Sequence, residues 1–236
     1  MQDGIKLGII GAMEVEVKTL MDKVEGAQMR EQARMTFCEG KLNGMDVVIA
    51  RCGIGKVSAA LCVQAMVDLY GVTHIMNTGV AGSLDARIDI ADLVVATDAV
   101  EHDMDVTPLG YERGQVPGMD CLAYQADRRL AEGIKQAAAK AAPDVRVYEG
   151  RVVSGDQFVA SAQVKADLKA GFDGMCCEME GASIAHACHV NGVPFAIVRA
   201  ISDKADGSAD MAYDEFEASS AVRCARVVEE LCAAGF

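Results

Sequence analysis

Short apolar runs recur along this chain, separated by segments with the 3.6-residue spacing of helices. That alternation restricts it to an α/β architecture: three layers, with a central mixed, mostly parallel sheet flanked by helices. Ile5–Ile10 is the first run, followed by Gly-Ala-Met and a helix carrying Val15, Leu20 and Met21. Asp46–Arg51 is the next strand. Gly53-Ile-Gly-Lys56 then opens a helix through about Tyr70, with Val57, Leu61 and Ala65 as its expected buried stripe. His74–Asn77, Leu93–Thr97, Val147–Ser154, Gly174–Glu178 and Phe195–Ile201 read as further strands, and helices are expected near 127–142, 161–170, 180–192 and 212–234. Residues 101–126 are polar, hold glycine and proline without a period, and read as a long functional loop.

Hydrophobic residues fill 51% of the 236 positions, enough for one substantial core, so a single domain over 1–236 is expected. No apolar run approaches the ~18 residues of a membrane span, and the first residues lack the basic stretch of a signal peptide. The expectation is a soluble, cytoplasmic protein with no membrane contact. The nine cysteines are odd in number, lack CxxC spacing and sit mostly in apolar segments, which favours reduced thiols packed as small hydrophobes. His186 and His189 could share a helix face, but the sequence shows no third ligand, so neither a metal nor a cofactor is expected. A net charge of −13 without a Lys/Arg cluster argues against a nucleic acid polymer and suits a small neutral or zwitterionic substrate.

Ligands of parallel sheets bind beyond the carboxyl ends of the strands. Four segments follow such ends: Gly11-Ala-Met-Glu-Val-Glu16, Ser154-Gly-Asp-Gln-Phe158, Glu178-Met-Glu180 and Arg199-Ala-Ile-Ser-Asp203. Taken singly, each carboxylate could simply cap a helix or answer its dipole. Their joint appearance at several strand ends favours a site.

GIIGAMEVEV, RCGIGKVSAA, NTGVAG, HDMDVTPLGYERGQVPG, VSGDQF, CEMEGASIAHACHVNGVPF and VRAISDKAD occur in this order. Together they closely resemble the 5′-methylthioadenosine/S-adenosylhomocysteine nucleosidase family over nearly the whole chain. The resemblance implies a nucleoside-phosphorylase-like fold and hydrolysis of the N-glycosidic bond of adenine thionucleosides. Such a reaction needs an acid for the leaving base, a base for water, an anchor for the ribose hydroxyls and a flat wall for the purine.

By that resemblance Glu16 would be the base and Asp203 the acid that protonates purine N7. Glu180 would hold the ribose hydroxyls, with Met179 against the sugar and Arg199 nearby. Phe158 would stack on adenine and the backbone of Val159 would read its Watson–Crick edge. Met13, Ala81, Gly82, Ser202 and Tyr213 would border the same pocket. The resemblance also implies a homodimer in which Val106, Leu109 and Pro117, with Tyr111 close by, cover the 5′-substituent of the partner's site.

Two departures bear on substrate preference: Val80 replaces a hydroxyl residue of some relatives, and Leu109 stands where phenylalanine is common. A carboxylate-bearing turn follows the first strand where related phosphorylases carry an arginine, which favours water over phosphate. GIGK lacks the full P-loop pattern and reads as a strand-to-helix turn. The competing readings are a futalosine-type nucleosidase and a non-catalytic nucleoside-binding protein.

Overall fold

A computed structural model describes residues 4–206 and 209–236, excepting the side chains of 209–215. The strands are β1 (Lys6–Gly11), β2 (Glu25–Gln32), β3 (Met35–Leu42), β4 (Met45–Arg51), β5 (His74–Ser83), β6 (Leu93–Glu101), β7 (Tyr124–Gln125), β8 (Val147–Ser154), β9 (Cys176–Glu178) and β10 (Phe195–Asp203). The helices are α1 (Glu14–Met21), α2 (Lys56–Ala65), α3 (Arg128–Ala141), α4 (Ala162–Phe172), α5 (Gly181–Asn191) and α6 (Ala209–Ala234). A π-helical turn, Met66–Tyr70, continues α2.

Successive side chains of a strand point to opposite faces, so a strand covered on both faces must be apolar at consecutive positions. That is why β1 and β4 read as continuous runs. Leu7, Ile9, Val47 and Ile49 pack toward α1, α3 and α6, while Ile10, Val48 and Ala50 pack toward α2 and α5. A smaller cluster beneath α4 joins Leu168 and Phe172 to Leu84, Val100 and Val153. The result is the expected three-layer arrangement.

The sheet runs β2-β3-β4-β1-β5-β9-β8-β6-β10, and β10 also pairs with β5, closing five of the strands into a ring. Parallel ladders join β1 to β4 and β5, β10 to β5, and β8 to β6 and β9. Antiparallel ladders close the ring at β5–β9 and β6–β10 and add β2 and β3 at the edge. At this closure the ends of β5, β9 and β10 converge.

Two sequence expectations are corrected. First, β2, β3 and the two-residue β7, which falls in the stretch read as a loop, were not anticipated. Each residue of β2 is exposed or half-buried, so it carries no core-facing alternation. Its turn into β3 uses Ala33 and Arg34, both at positive φ, rather than a glycine signal. Second, Val57 and Leu61 do not form the buried stripe of α2, since they are 72% and 53% exposed, and Ala65 is half-buried. The covered face is instead Ala59, Cys62, Val63 and Met66, whose small and flexible side chains let α2 lie close to the sheet and α5. All nine cysteines are free, and all but Cys121 are buried. No described helix is long and apolar enough to cross a membrane.

Candidate active site

The converging strand ends surround a cleft of about 370 Å³, within the range of small-molecule sites. Met13, Glu16, Ala81, Gly82, Phe158, Met179, Glu180, Ser202 and Asp203 all line it. Arg199 and Val159 lie buried without lining it directly. Ala12, Ile54, Val80, Cys177 and Glu178 complete the wall; the sequence ties Val80 to substrate preference and places Ala12 and Glu178 in the candidate segments, whereas it gives Ile54 and Cys177 no part in the site. Val106, Leu109 and Pro117 do not line the cleft of their own chain, and Leu109 is 73% exposed. Tyr213 lies outside the residues whose side chains are described.

Glu16 sits in the first turn of α1 and is almost wholly buried. Its Oε2 accepts from the amides of Ala12 at 2.7 Å and Met13 at 3.0 Å, and its Oε1 from the amide of Val80 at 3.1 Å. Burial pushes the carboxyl above its usual range, opposed by Arg199 and those three amides. This close approach explains Gly79, because a Cβ there would lie 2.2 Å from Glu16 Oε1 and 2.4 Å from Arg199 Nη1. Gly79 lies within β5, which runs on to Ser83 instead of ending at Asn77 as the sequence suggested.

Asp203 ends β10 and is equally buried. Burial raises its carboxyl too, against hydrogen bonds donated by the Ala205 amide at 2.7 Å and the Ser202 hydroxyl at 2.9 Å. A buried carboxyl that keeps its proton to higher pH suits a general acid.

Glu180, the N-cap of α5, accepts from the Gly55 amide at 2.9 Å through Oε1. Its carboxyl is raised by burial and then by the neighbouring charge of Glu178, while Arg199 pulls it down. Arg199 is buried beneath the cleft. Its guanidinium donates to Glu178 and, at 2.5 Å, to Asn77 Oδ1, with Glu180 Oε2 at 3.8 Å. Glu178 further accepts from the Ser154 hydroxyl and the amides of Glu180 and Gly181. Glu178 and Asn77 thus share one terminal nitrogen, Nη2, of the guanidinium. One guanidinium lies among three buried carboxyl groups, Glu16, Glu178 and Glu180, so its charge is already answered within the protein.

GIGK proves to be an internal cap. The Gly55 amide is committed to Glu180 and the Lys56 amide to Asp156 Oδ1 at 2.8 Å, so neither is left to cradle a phosphate. Gly55 has φ +93°, and a Cβ there would lie 2.9 Å from Asp156 Oδ1. His186 bonds Glu101 rather than joining a metal cluster. His189 instead meets Asp120 and Cys121, one donor atom of each lying within 4.8 Å of the others, a group that does not line the cleft.

A family model described as the phosphorylase superfamily matches residues 6–233. The 5′-methylthioadenosine/S-adenosylhomocysteine nucleosidase of Exiguobacterium sp. is 42% identical, over 95% of this chain and 96% of that one. The solved structure of the Neisseria meningitidis nucleosidase of that name, in complex with methylthio-immucillin-A, superposes with a TM-score of 0.94. It is 37% identical and covers 98% of this chain and 99% of its own. The futalosine hydrolase of Helicobacter pylori superposes with a TM-score of 0.90 at 33% identity, covering 96% and 97%. The chain belongs to the 5′-methylthioadenosine/S-adenosylhomocysteine nucleosidase family, within the phosphorylase superfamily.

Proposed function

We propose that the chain hydrolyses the N-glycosidic bond of 5′-methylthioadenosine and S-adenosylhomocysteine and releases adenine, with Asp203 as acid and Glu16 as base. The observation that carries this reading is the pairing of two buried carboxyls, Glu16 and Asp203, on the wall of one nucleoside-sized cleft. In the reaction the C1′–N9 bond breaks and its electron pair passes to the purine, where Asp203 delivers a proton to N7. A water oxygen bonds to C1′ as Glu16 takes its proton. Solvent then returns the proton balance between the two carboxyls. Glu180 holds the ribose hydroxyls and Met179 packs on the sugar. Phe158, 47% exposed at the mouth, stacks on the base, whose Watson–Crick edge meets the Val159 backbone. Water rather than phosphate is the acceptor, because the one guanidinium here is already matched by buried carboxyl groups and the Gly55 and Lys56 amides are already engaged.

The working unit is a homodimer in the cytoplasm. Ile54, Val57, Leu61, Val190 and Leu109 are large apolar side chains left 53–73% exposed by the single chain, and a second copy would cover them. Sedimentation should give twice the 24.9 kDa mass of the chain; a monomer at micromolar concentration would overturn this arrangement. In the dimer Val106, Leu109 and Pro117 reach the partner's 5′-pocket. Leu109, smaller than phenylalanine, keeps a futalosine-type substrate in play, as does the likeness to a futalosine hydrolase. The test is adenine release from methylthioadenosine, S-adenosylhomocysteine and aminodeoxyfutalosine side by side. The two thionucleosides should exceed the futalosine by at least about tenfold in kcat/KM, or about 1.4 kcal/mol. The reverse order would reassign the substrate, and release from none would favour a non-catalytic binding protein.

A further inference from the structure

Lys56 lies outside the cleft, yet it joins the loops that form it. Its ammonium reaches Asp103 Oδ1 at 2.7 Å and Glu101 Oε2 at 3.2 Å, at and just past the end of β6. Its amide donates to Asp156 Oδ1, and its carbonyl accepts from the Ser183 hydroxyl at 2.7 Å in the first turn of α5. Asp103 Oδ2 in turn accepts from the Asp156 amide at 3.0 Å. Asp156 stands two residues before Phe158, and Gly55, one residue before Lys56, carries the amide that holds Glu180. The start of α2, the end of β6, the loop after β8 and the first turn of α5 thus meet at one residue, whose side chain holds the end of β6 and whose backbone holds the other two.

This is more than a surface ion pair. The Lys56 side chain is 20% exposed and that of Glu101 only 7%, whereas in the Lys18–Asp22 pair the values are 59% and 62%. Without the ammonium, Glu101 would keep only its contact with His186 and Asp103 only the Asp156 amide, and like charges that close drive the more mobile group away. Asp103 is the more exposed of the two, at 28%, and it holds the Asp156 amide.

We propose that Lys56 is a positioning residue for nucleoside binding: through Asp103 and Asp156 it fixes the spacing between the base-stacking loop at Phe158 and the ribose anchor Glu180. This rests on the nucleosidase reading for the names of the subsites. The acid and base are held independently, Asp203 by Ser202 and Ala205, and Glu16 by Ala12, Met13 and Val80. The effect should therefore fall on binding rather than on the chemical step.

The test is Lys56→Met, with Lys56→Arg and Asp103→Asn beside it. Adenine affinity is read by calorimetry, and KM and kcat are read on methylthioadenosine. Lys56→Met should raise both KM and the adenine Kd about tenfold or more, with kcat within about threefold, since loop misplacement of an ångström has effects of this order. Lys56→Arg, which keeps the charge and the donors, should recover most of the affinity. Lys56→Met/Asp103→Asn should be no worse than Lys56→Met alone, because residues of one network are non-additive. Lys23→Met, which removes the ion pair with Glu229, serves as a control that should leave KM unchanged. Unchanged KM and adenine Kd in folded Lys56→Met overturns the proposal, as does a loss confined to kcat or strict additivity with Asp103→Asn. Should Lys56→Met fail to fold, Asp103→Asn alone must show the rise in KM and Kd, and its absence is equally decisive. Adenine affinity is independent of turnover, so a parent chain that binds adenine without releasing it would sink the catalytic reading while this test still reads out.

Discussion

Replacing Asp203 with Asn is expected to lower kcat for adenine release by about 10³-fold or more, or about 4 kcal/mol of barrier. The side chain keeps its shape, and the amide oxygen can still accept from the Ala205 N–H now 2.7 Å from the carboxylate. The fold should hold, and what disappears is the proton for N7. Burial is the main reason this carboxyl is raised, so in the proposed acid role it would stay protonated above the ordinary Asp range of ~3.9. The sign follows from the role. The rate falls as pH rises through the elevated Asp203 pKa, and that alkaline limb should vanish in the Asn variant. Steady-state adenine release over a pH series checks both statements. A full rate in Asp203→Asn would remove Asp203 from the acid role.

Glu16→Gln should cost about 10²–10⁴-fold in kcat, the usual worth of a general base, while adenine binding stays within about threefold. The local consequence can be worked out from the hydrogen bonds. Glu16 accepts three amides, two on Oε2 and one on Oε1. A glutamine oxygen can keep the pair from Ala12 and Met13, which leaves its NH₂ facing the Val80 N–H. One lost bond and a donor–donor contact should reduce stability by about 1–3 kcal/mol, well below the catalytic loss. Melting measurements separate the two effects. A variant that melts normally and turns over normally would exclude Glu16 as the base.

What the sequence revealed divides by physical cause. Strands β1, β4, β5, β6 and β10 were legible because burial on both faces favours apolar runs, and β8 from the valines at its two ends, though its first half is only partly buried. The edge strands β2 and β3 were not, since β2 covers no core and its two-residue turn at Ala33-Arg34 carries no glycine. The turn into β4 does hold Asn43-Gly44 at positive φ, a signal that was available. On α2 the larger apolar residues point outward, so size misled where Ala59 and Cys62 lie inside. Most of the cleft residues could be read because they follow strand ends. Glu178, one step from the cleft-lining Met179, was visible as a carboxylate, but its partnership with Arg199 and Ser154 depends on β8, β9 and β10 meeting, which spacing cannot give. Gly79 likewise needs the three-dimensional approach of Glu16 and Arg199 before its missing side chain has meaning.

Water, activated in a cleft that disfavours phosphate, is expected to cut adenine from a thioribosyl sugar. The most direct measurement incubates the protein with methylthioadenosine, with and without inorganic phosphate, and identifies the sugar product. Free methylthioribose at the same rate in both samples is the expected result. Methylthioribose-1-phosphate, or a rate that depends on phosphate, would contradict it.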